Sequence, residues 1–239
     1  TGHREFGENK AQELSEKHPL LPADIRWHFI GHLQTNKVKY IAPFVHLIHA
    51  VDSLKLLREI NKQAVKHNRT IACLLQFHIA TESTKFGLNE EEAFELLASE
   101  EYAAMKNISI TGVMGMATFT DDMELVRAEF SMLKNTFEKL KATYFSDKAS
   151  FKEISMGMSN GYQVAIEEGS TLSGSAPKFS AKGKQRTEYD HLHFICFRFC
   201  AVDRRSQNSD QRSFFHRVTF RPFTTGYRPD HCSYGHITA

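Results

Sequence analysis

The stretch SMGMSNGYQVAIEEGST, residues 155 to 171, carries the sharpest chemical signal in the chain. Gly157 stands at the end of an expected strand, where a missing side chain lets the backbone come close to a ligand. Ser159 opens an expected helix, so its hydroxyl and the N–H groups after it converge on one spot. Such a spot favours a phosphate dianion. A plain N-cap serine uses the same geometry, and the two roles are compatible. Met158 lies between them. Asn9 follows another expected strand and suits either capping of the helix KAQEL or ligand contact. Lys85, in TESTKFGL, also follows a strand. If desolvated it could condense with a carbonyl, although a solvated surface lysine is the expected state. His28 sits inside an apolar strand, where a histidine is commonly a satisfied core residue.

Metal chemistry is not expected. Of four cysteines, Cys73 lies in IACLLQFHI and reads as a small buried hydrophobe. Cys196, Cys200 and Cys232 fall near His191, His193 and His231, but the spacings match none of the usual zinc frameworks. Met114 and Met116 alternate at strand spacing in GVMGMATF and read as core rather than pocket.

These residues need elements to hold them, and up to residue 172 the pattern supplies them in regular alternation. HREFGEN, IRWHFIGHL, VHLIHAV, RTIACLLQFHI, ISITGVMGMA and FKEISMGM read as strands. The near-continuous apolar run at 69–79 suits a strand covered on both faces. NKAQELSEKH, QTNKVKYIA, LKLLREINKQAVKH, NEEEAFELLASEEY, the long run from Met123 and SNGYQVAIEEG read as helices. Asp52 or Ser53, Asn89, and one of Thr120, Asp121 and Asp122 are the expected N-caps. Leu54, Leu57, Ile60 and Val65 should share one helical face, as should Leu125, Phe130, Leu133, Phe137 and Leu140. Strands alternating with helices argue for α/β with a parallel sheet, either doubly wound or a barrel. No G-x-G-x-x-G follows the first strand, so the dinucleotide reading lacks its phosphate turn.

The chain has 239 residues, 41% of them hydrophobic, and a net charge of +2. That is enough for one large domain with a core. The balance implies no broad field for nucleic acid or membrane. No run has membrane-spanning length and no amino-terminal signal pattern is visible, so a cytoplasmic protein is expected.

FGENKAQE, WHFIGHLQTNKVK, VDSLKL, TKFGL, GVMGMATFTDD and SMGMSNGYQVAIEEGST occur in this order. Together they resemble the pyridoxal phosphate homeostasis protein family, also called the YggS/PROSC or PLP-binding protein family. The resemblance covers residues 1 to about 172. It implies a (β/α)8 TIM barrel of the alanine racemase N-terminal-domain type, with pyridoxal 5′-phosphate (PLP) at the carboxyl ends of the strands. It also implies cofactor contacts from Asn9, Gly157, Met158 and Ser159, and a place for His28 beside the pyridine ring. The implied function is PLP binding and intracellular PLP homeostasis by a carrier without clear catalysis. PLP-dependent apoenzymes are the implied partners, and the chain is expected to be monomeric, with no nucleic-acid or membrane partner. The family carries an acidic residue where this chain has Gly161. A racemase-like enzyme is the rival reading; it needs a lysine base and an opposing acid–base group, and no convincing pair is seen. A nonfunctional translated fragment is the third.

The two ends depart from the family. Its Schiff-base lysine lies on the first barrel strand, in a motif like V-S-K-T-K-P, and that strand is expected to be missing here; Lys85 is a weak substitute. After GST the family continues with a segment like M-V-R-x-G-x-x-I-F-G, whereas this chain reads LSGSAPKFSAKGKQRTEYD. Taking the third base of each codon with the first two of the next, and choosing among synonymous codons, turns that segment into V-R-V-G-T-E-I-F-G-E-R-K-T-E-N-R-I and a stop. A reading-frame slip near Leu172 is therefore expected. Residues 1–172 would form a partial barrel and 173–239 an aberrant, poorly ordered tail. From His191 onward the tail has seven Arg and no Lys, and no sustained period. HLHFICFRF could alternate as a strand but is not expected to mend the wall, which should be left with two open edges.

Overall fold

Short apolar runs and amphipathic runs fold as the alternation demands. In the computed structural model the described residues are 4–81, 86–158, 161–175 and 195–199. The strands are β1 (Glu5–Glu8), β2 (Arg26–Phe29), β3 (Leu47–Val51), β4 (Ile71–Phe77), β5 (Ile108–Gly115), β6 (Glu153–Ser155), β7 (Leu172–Ser175) and β8 (Ile195–Phe199). The helices are α1 (Ala11–Lys17), α2 (Val38–Ile41), α3 (Leu54–Lys66), α4 (Glu90–Ala98), α5 (Glu100–Ala104), α6 (Met123–Tyr144) and α7 (Tyr162–Glu167). β1 to β7 pair in chain order as parallel neighbours, and the ring is closed. This is the barrel of the sequence reading.

The closure corrects one expectation. β8 comes from the tail and runs antiparallel between β7 and β1, with Gly174 opposite Phe197 and Phe6 opposite Cys196. The edges expected to be open are therefore bonded. The physical reason is that two strand edges present unpaired N–H and C=O groups, and any extended segment within reach can satisfy them. Direction is secondary, since antiparallel ladders are at least as stable per residue. One compact unit spans Arg4–Val202; the other, Thr1–His3 with Asp203–Ala239, lies outside the described residues.

The caps follow the sequence closely. Ser53 Oγ accepts from Leu56 N, Asp122 accepts from Glu124 N and Leu125 N, and Asn89 with Glu92 forms a capping box. Ser99 ends α4 and caps α5, so the single helix expected over 89–102 is two. Its hydroxyl accepts from Tyr102 N and donates to Leu96 O, satisfying groups of both helix ends.

The main core lies between the strands and the helices. Leu57 and Ile60 of α3 and Phe130, Leu133, Phe137 and Leu140 of α6 pack there against Ile48, Cys73, Leu75, Val113 and Ile154 of the wall. Val65 was expected on this face but is exposed, and Leu56 is buried in its place. A smaller cluster of strand residues, Leu47, Ala50, Leu74, Met114 and Leu172, fills the lumen. Met114 is thus core, whereas β5 ends at Gly115 and leaves Met116 exposed beyond it. No helix among the described residues is long and apolar enough to cross a membrane.

Candidate functional site

All seven parallel strands deliver their carboxyl ends to one rim, which is where barrel chemistry is built. Gly157 lies two residues beyond β6 with φ +87°, in the left-handed region that favours glycine. A Cβ there would stand 2.4 Å from the Ala165 Cβ on α7. The Gly157 carbonyl accepts from Ser173 Oγ at 3.1 Å and Gly174 N at 3.1 Å, so β7 pins the turn. Met158 O then accepts from Gly161 N at 3.0 Å. Ser159 lies outside the described residues, as does Lys85. Met158 is half-exposed at this turn.

Asn9 follows β1 on the same rim and is exposed. It does not cap α1: the N-cap is Lys10, which makes no side-chain cap bond. The capping use expected for Asn9 is thus corrected, because the helix begins one residue late. Its backbone is tightly held. Asn9 N donates to Glu8 Oε2 at 3.2 Å, and the buried Glu8 is ion-paired with the buried Lys17 of α1. Across the rim, a Cβ on Gly31 would lie 2.2 Å from Asn9 O, so only glycine allows this approach.

Two further features shape the rim. His32, after β2, stacks on Phe86 with ring centroids 4.0 Å apart, and its Nδ1 lies 3.4 Å from Asp52 Oδ2. Glu129, buried on α6, accepts from Thr118 N at 2.6 Å, Thr118 Oγ1 at 2.7 Å and Thr81 N at 3.1 Å. One carboxylate so ties the loops after β4 and β5 to a helix behind the wall. Phe86, Met116, Phe119 and Met158 remain exposed among these loops.

His28 is buried in the wall, opposite Gly7 of β1 and Leu47 of β3. Its Nε2 lies 2.7 Å from Glu5 Oε2, and its Nδ1 lies 2.9 Å from His49 Nε2. His49 Nδ1 in turn lies 2.9 Å from Ser155 Oγ. A polar chain, Glu5–His28–His49–Ser155, therefore threads the buried interior. With both imidazoles neutral it runs in one direction: Ser155 donates to His49, His49 to His28, and His28 to the Glu5 carboxylate. Burial first, and then the repulsion that a protonated His28 would exert, lower the His49 imidazole well below the usual histidine range. Cys73 is fully buried, and burial pushes its thiol far up, so it is inert as a nucleophile.

The structure thus brings Asn9, Gly157 and Met158 to strand carboxyl ends and links His28 to the Gly157 turn through His49 and Ser155. Glu5, His32, His49, Glu129 and Ser155 were not singled out from the sequence. His28 lies in the buried part of β2 after the exposed Arg26, and His49 lies in the wholly buried β3; a histidine within each apolar run was the signal available.

The residue pattern of the family described as alanine racemase, N-terminal domain, matches residues 1–172. The pyridoxal phosphate homeostasis protein of Aquifex aeolicus (strain VF5) is 38% identical over 172 residues, 72% of this chain and 73% of the relative. Among solved structures, PipY of Synechococcus elongatus PCC7942 with PLP bound is 26% identical with a TM-score of 0.60, covering 71% of this chain and 77% of PipY. Its structure without PLP is 27% identical with a TM-score of 0.65, covering 71% and 78%. A barrel with this strand order, carrying these motifs at its rim, belongs to the alanine racemase N-terminal domain family and, within it, to the pyridoxal phosphate homeostasis proteins.

Proposed function

We propose that this chain binds PLP at the carboxyl-end rim and serves PLP homeostasis as a carrier. The observation that carries the reading is the Gly157 turn. It packs so closely on Ala165 of α7 that no Cβ fits, and two bonds to the Gly157 carbonyl hold its shape. The turn suits a phosphate: the Gly157 carbonyl is taken up by β7, so its negative end is not offered to an anion at the rim. Gly157, Met158 and Ser159 are assigned to the phosphate. Asn9, relieved of capping, is assigned to the ring side. His28 is assigned to the same side, acting through His49 and Ser155, whose chain position is two residues before Gly157. When bound, PLP supplies an aldehyde that combines reversibly with amines and a ring that withdraws electrons. This chain's residues bind it, orient it and hold the rim loops; Glu129 does the last of these. The cytoplasm is the assigned compartment, PLP-dependent apoenzymes the recipients, and the monomer the working state.

A PLP titration followed by cofactor absorbance and fluorescence tests the reading. Saturable binding by the full chain is expected, weakened at least tenfold in Gly157→Ala. Absence of saturable binding in the parent chain would sink the carrier reading. Equal binding by Gly157→Ala would move the phosphate elsewhere on the rim.

A further inference from the structure

We propose that Glu5, His28 and His46 form a site for a divalent transition-metal cation of the zinc class beside the starts of β1 and β3, with His28 shared between this site and the buried polar chain that leads toward the PLP rim. One ligand atom from each residue lies within 4.8 Å of the others, the one such grouping among the described residues. Glu5 and His28 are buried and His46 is exposed, so a cation would reach a half-sheltered set. The backbone fixes all three. Glu5 opens β1 opposite Arg26, two register positions before the Gly7–His28 pair and so on the same face, and His46 N donates to Trp27 O at 2.8 Å just before β3. The imidazoles of His28 and His46 are tilted at 43°, with centroids 5.7 Å apart.

Two imidazole nitrogens and one carboxylate oxygen form a ligand set used by zinc sites that keep a fourth position for water. Bonds of about 2.0–2.1 Å in a tetrahedron put neighbouring ligand atoms about 3.3 Å apart. Glu5 Oε2 and His28 Nε2, now 2.7 Å apart, would part slightly, and the widest separation, within 4.8 Å, would close. The other Glu5 oxygen is ion-paired with Arg26, which holds the carboxylate in place, and a cation would replace the bond between Oε2 and His28 Nε2.

The interior chain supplies the support a metal-bound histidine needs. A cation on His28 Nε2 requires the proton on Nδ1, which then donates to His49 Nε2. His49 Nδ1–H donates to Ser155 Oγ in turn. Both bonds, at 2.9 Å each, survive with donors and acceptors exchanged. No proton is lost from either neutral ring, and the orientation of His28 is set from behind.

The test uses the full, PLP-free chain cleared of metal with a chelator, then titrated with Zn2+ and separately with Co2+. One equivalent should bind, and Co2+ should give visible bands without a thiolate charge-transfer band. Glu5→Gln and His46→Ala should each weaken binding at least about tenfold, the scale on which even a supporting partner matters. His46→Cys should bind Co2+ and gain a thiolate band, a signal that misfolding cannot produce. A thiolate band in the parent chain would assign the cation to Cys196, Cys200 or Cys232 and overturn the proposal. So would absence of saturable binding, affinity unchanged by both Glu5→Gln and His46→Ala, or His46→Cys without the new band. None of these outcomes depends on whether PLP binds.

Discussion

Gly157→Ala tests whether the rim turn is built on a missing side chain. The substitution adds one methyl group at φ +87°. The left-handed backbone costs an L-residue about 1–2 kcal/mol. The new Cβ would also lie 2.4 Å from the Cβ of buried Ala165, a full ångström inside the 3.4 Å at which ordinary contact begins. Ala165 cannot rotate away, since its methyl is fixed by α7, so α7 or β6 must move. Overpacking of this kind costs about 1–3 kcal/mol. Together these give about 2–5 kcal/mol out of a total stability that rarely exceeds about 15. With a urea dependence of about 2 kcal/mol per molar, the midpoint should fall by about 1–2.5 M. Gly161→Ala is the matched control. There φ is −101°, and the nearest atom to a new Cβ is Val126 Cγ1 at 3.6 Å. A poorer N-cap and a less free unfolded chain oppose each other, so its stability should stay within about 1 kcal/mol of the parent. Urea unfolding by circular dichroism reads both variants, and PLP titration should separate them in the same order. Equal midpoints for Gly157→Ala and the parent chain would refute the reasoning, because the turn would then have room the geometry denies it.

Acid should destabilise the chain in a window set by His49. Its folded value is depressed by burial, while the unfolded chain titrates near 6.5, so the unfolded state binds the extra proton. The stability is present above about pH 6.5 and is lost as pH falls, by up to about 1.4 kcal/mol per pH unit. Urea midpoints at neutral pH and pH 5.5 check this, and a flat profile would contradict a buried neutral imidazole. Glu129→Ala strips the acceptor from Thr81 N, Thr118 N and Thr118 Oγ1 and should cost about 3 kcal/mol; hydrogen exchange in the loops after β4 and β5 should rise first. Phe197→Pro puts a residue without an N–H in β8 opposite Gly174 and should cost about 1 kcal/mol or more of stability, read as a lower urea midpoint; an unchanged midpoint would mean that β8 contributes nothing to closure. Sequencing the encoding DNA should reveal a second frame carrying R-x-G-x-x-I-F-G beyond the Leu172 codon; its absence would remove the frame-slip account of the tail.

Much of the barrel was legible in residue order. Buried runs such as IACLLQF could only be strands covered on both sides, and Ser53, Asn89 and Asp122 announced their helices because caps are local chemistry. The Gly157 turn was legible for the same reason: a glycine and a turn occupy a few adjacent residues. The one-residue delay that frees Asn9 from capping was not, because helix ends depend on what packs against the first turn.

The interior chain and the tail strand lay beyond any local signal. Glu5 and His28 are 23 residues apart, His28 and His49 21, and His49 and Ser155 106. Hydrophobic period reports that a side chain points inward; it does not report which inward-pointing group it will meet. That is decided by strand order and register around the closed ring, where each strand's stagger chooses the partners in the lumen. The antiparallel seat of β8 is likewise a property of the two edges it satisfies, not of ICFRF itself. Composition and spacing determined the elements and the rim turn, and closure of the wall alone determined how the buried histidines, Glu5 and Ser155 are joined.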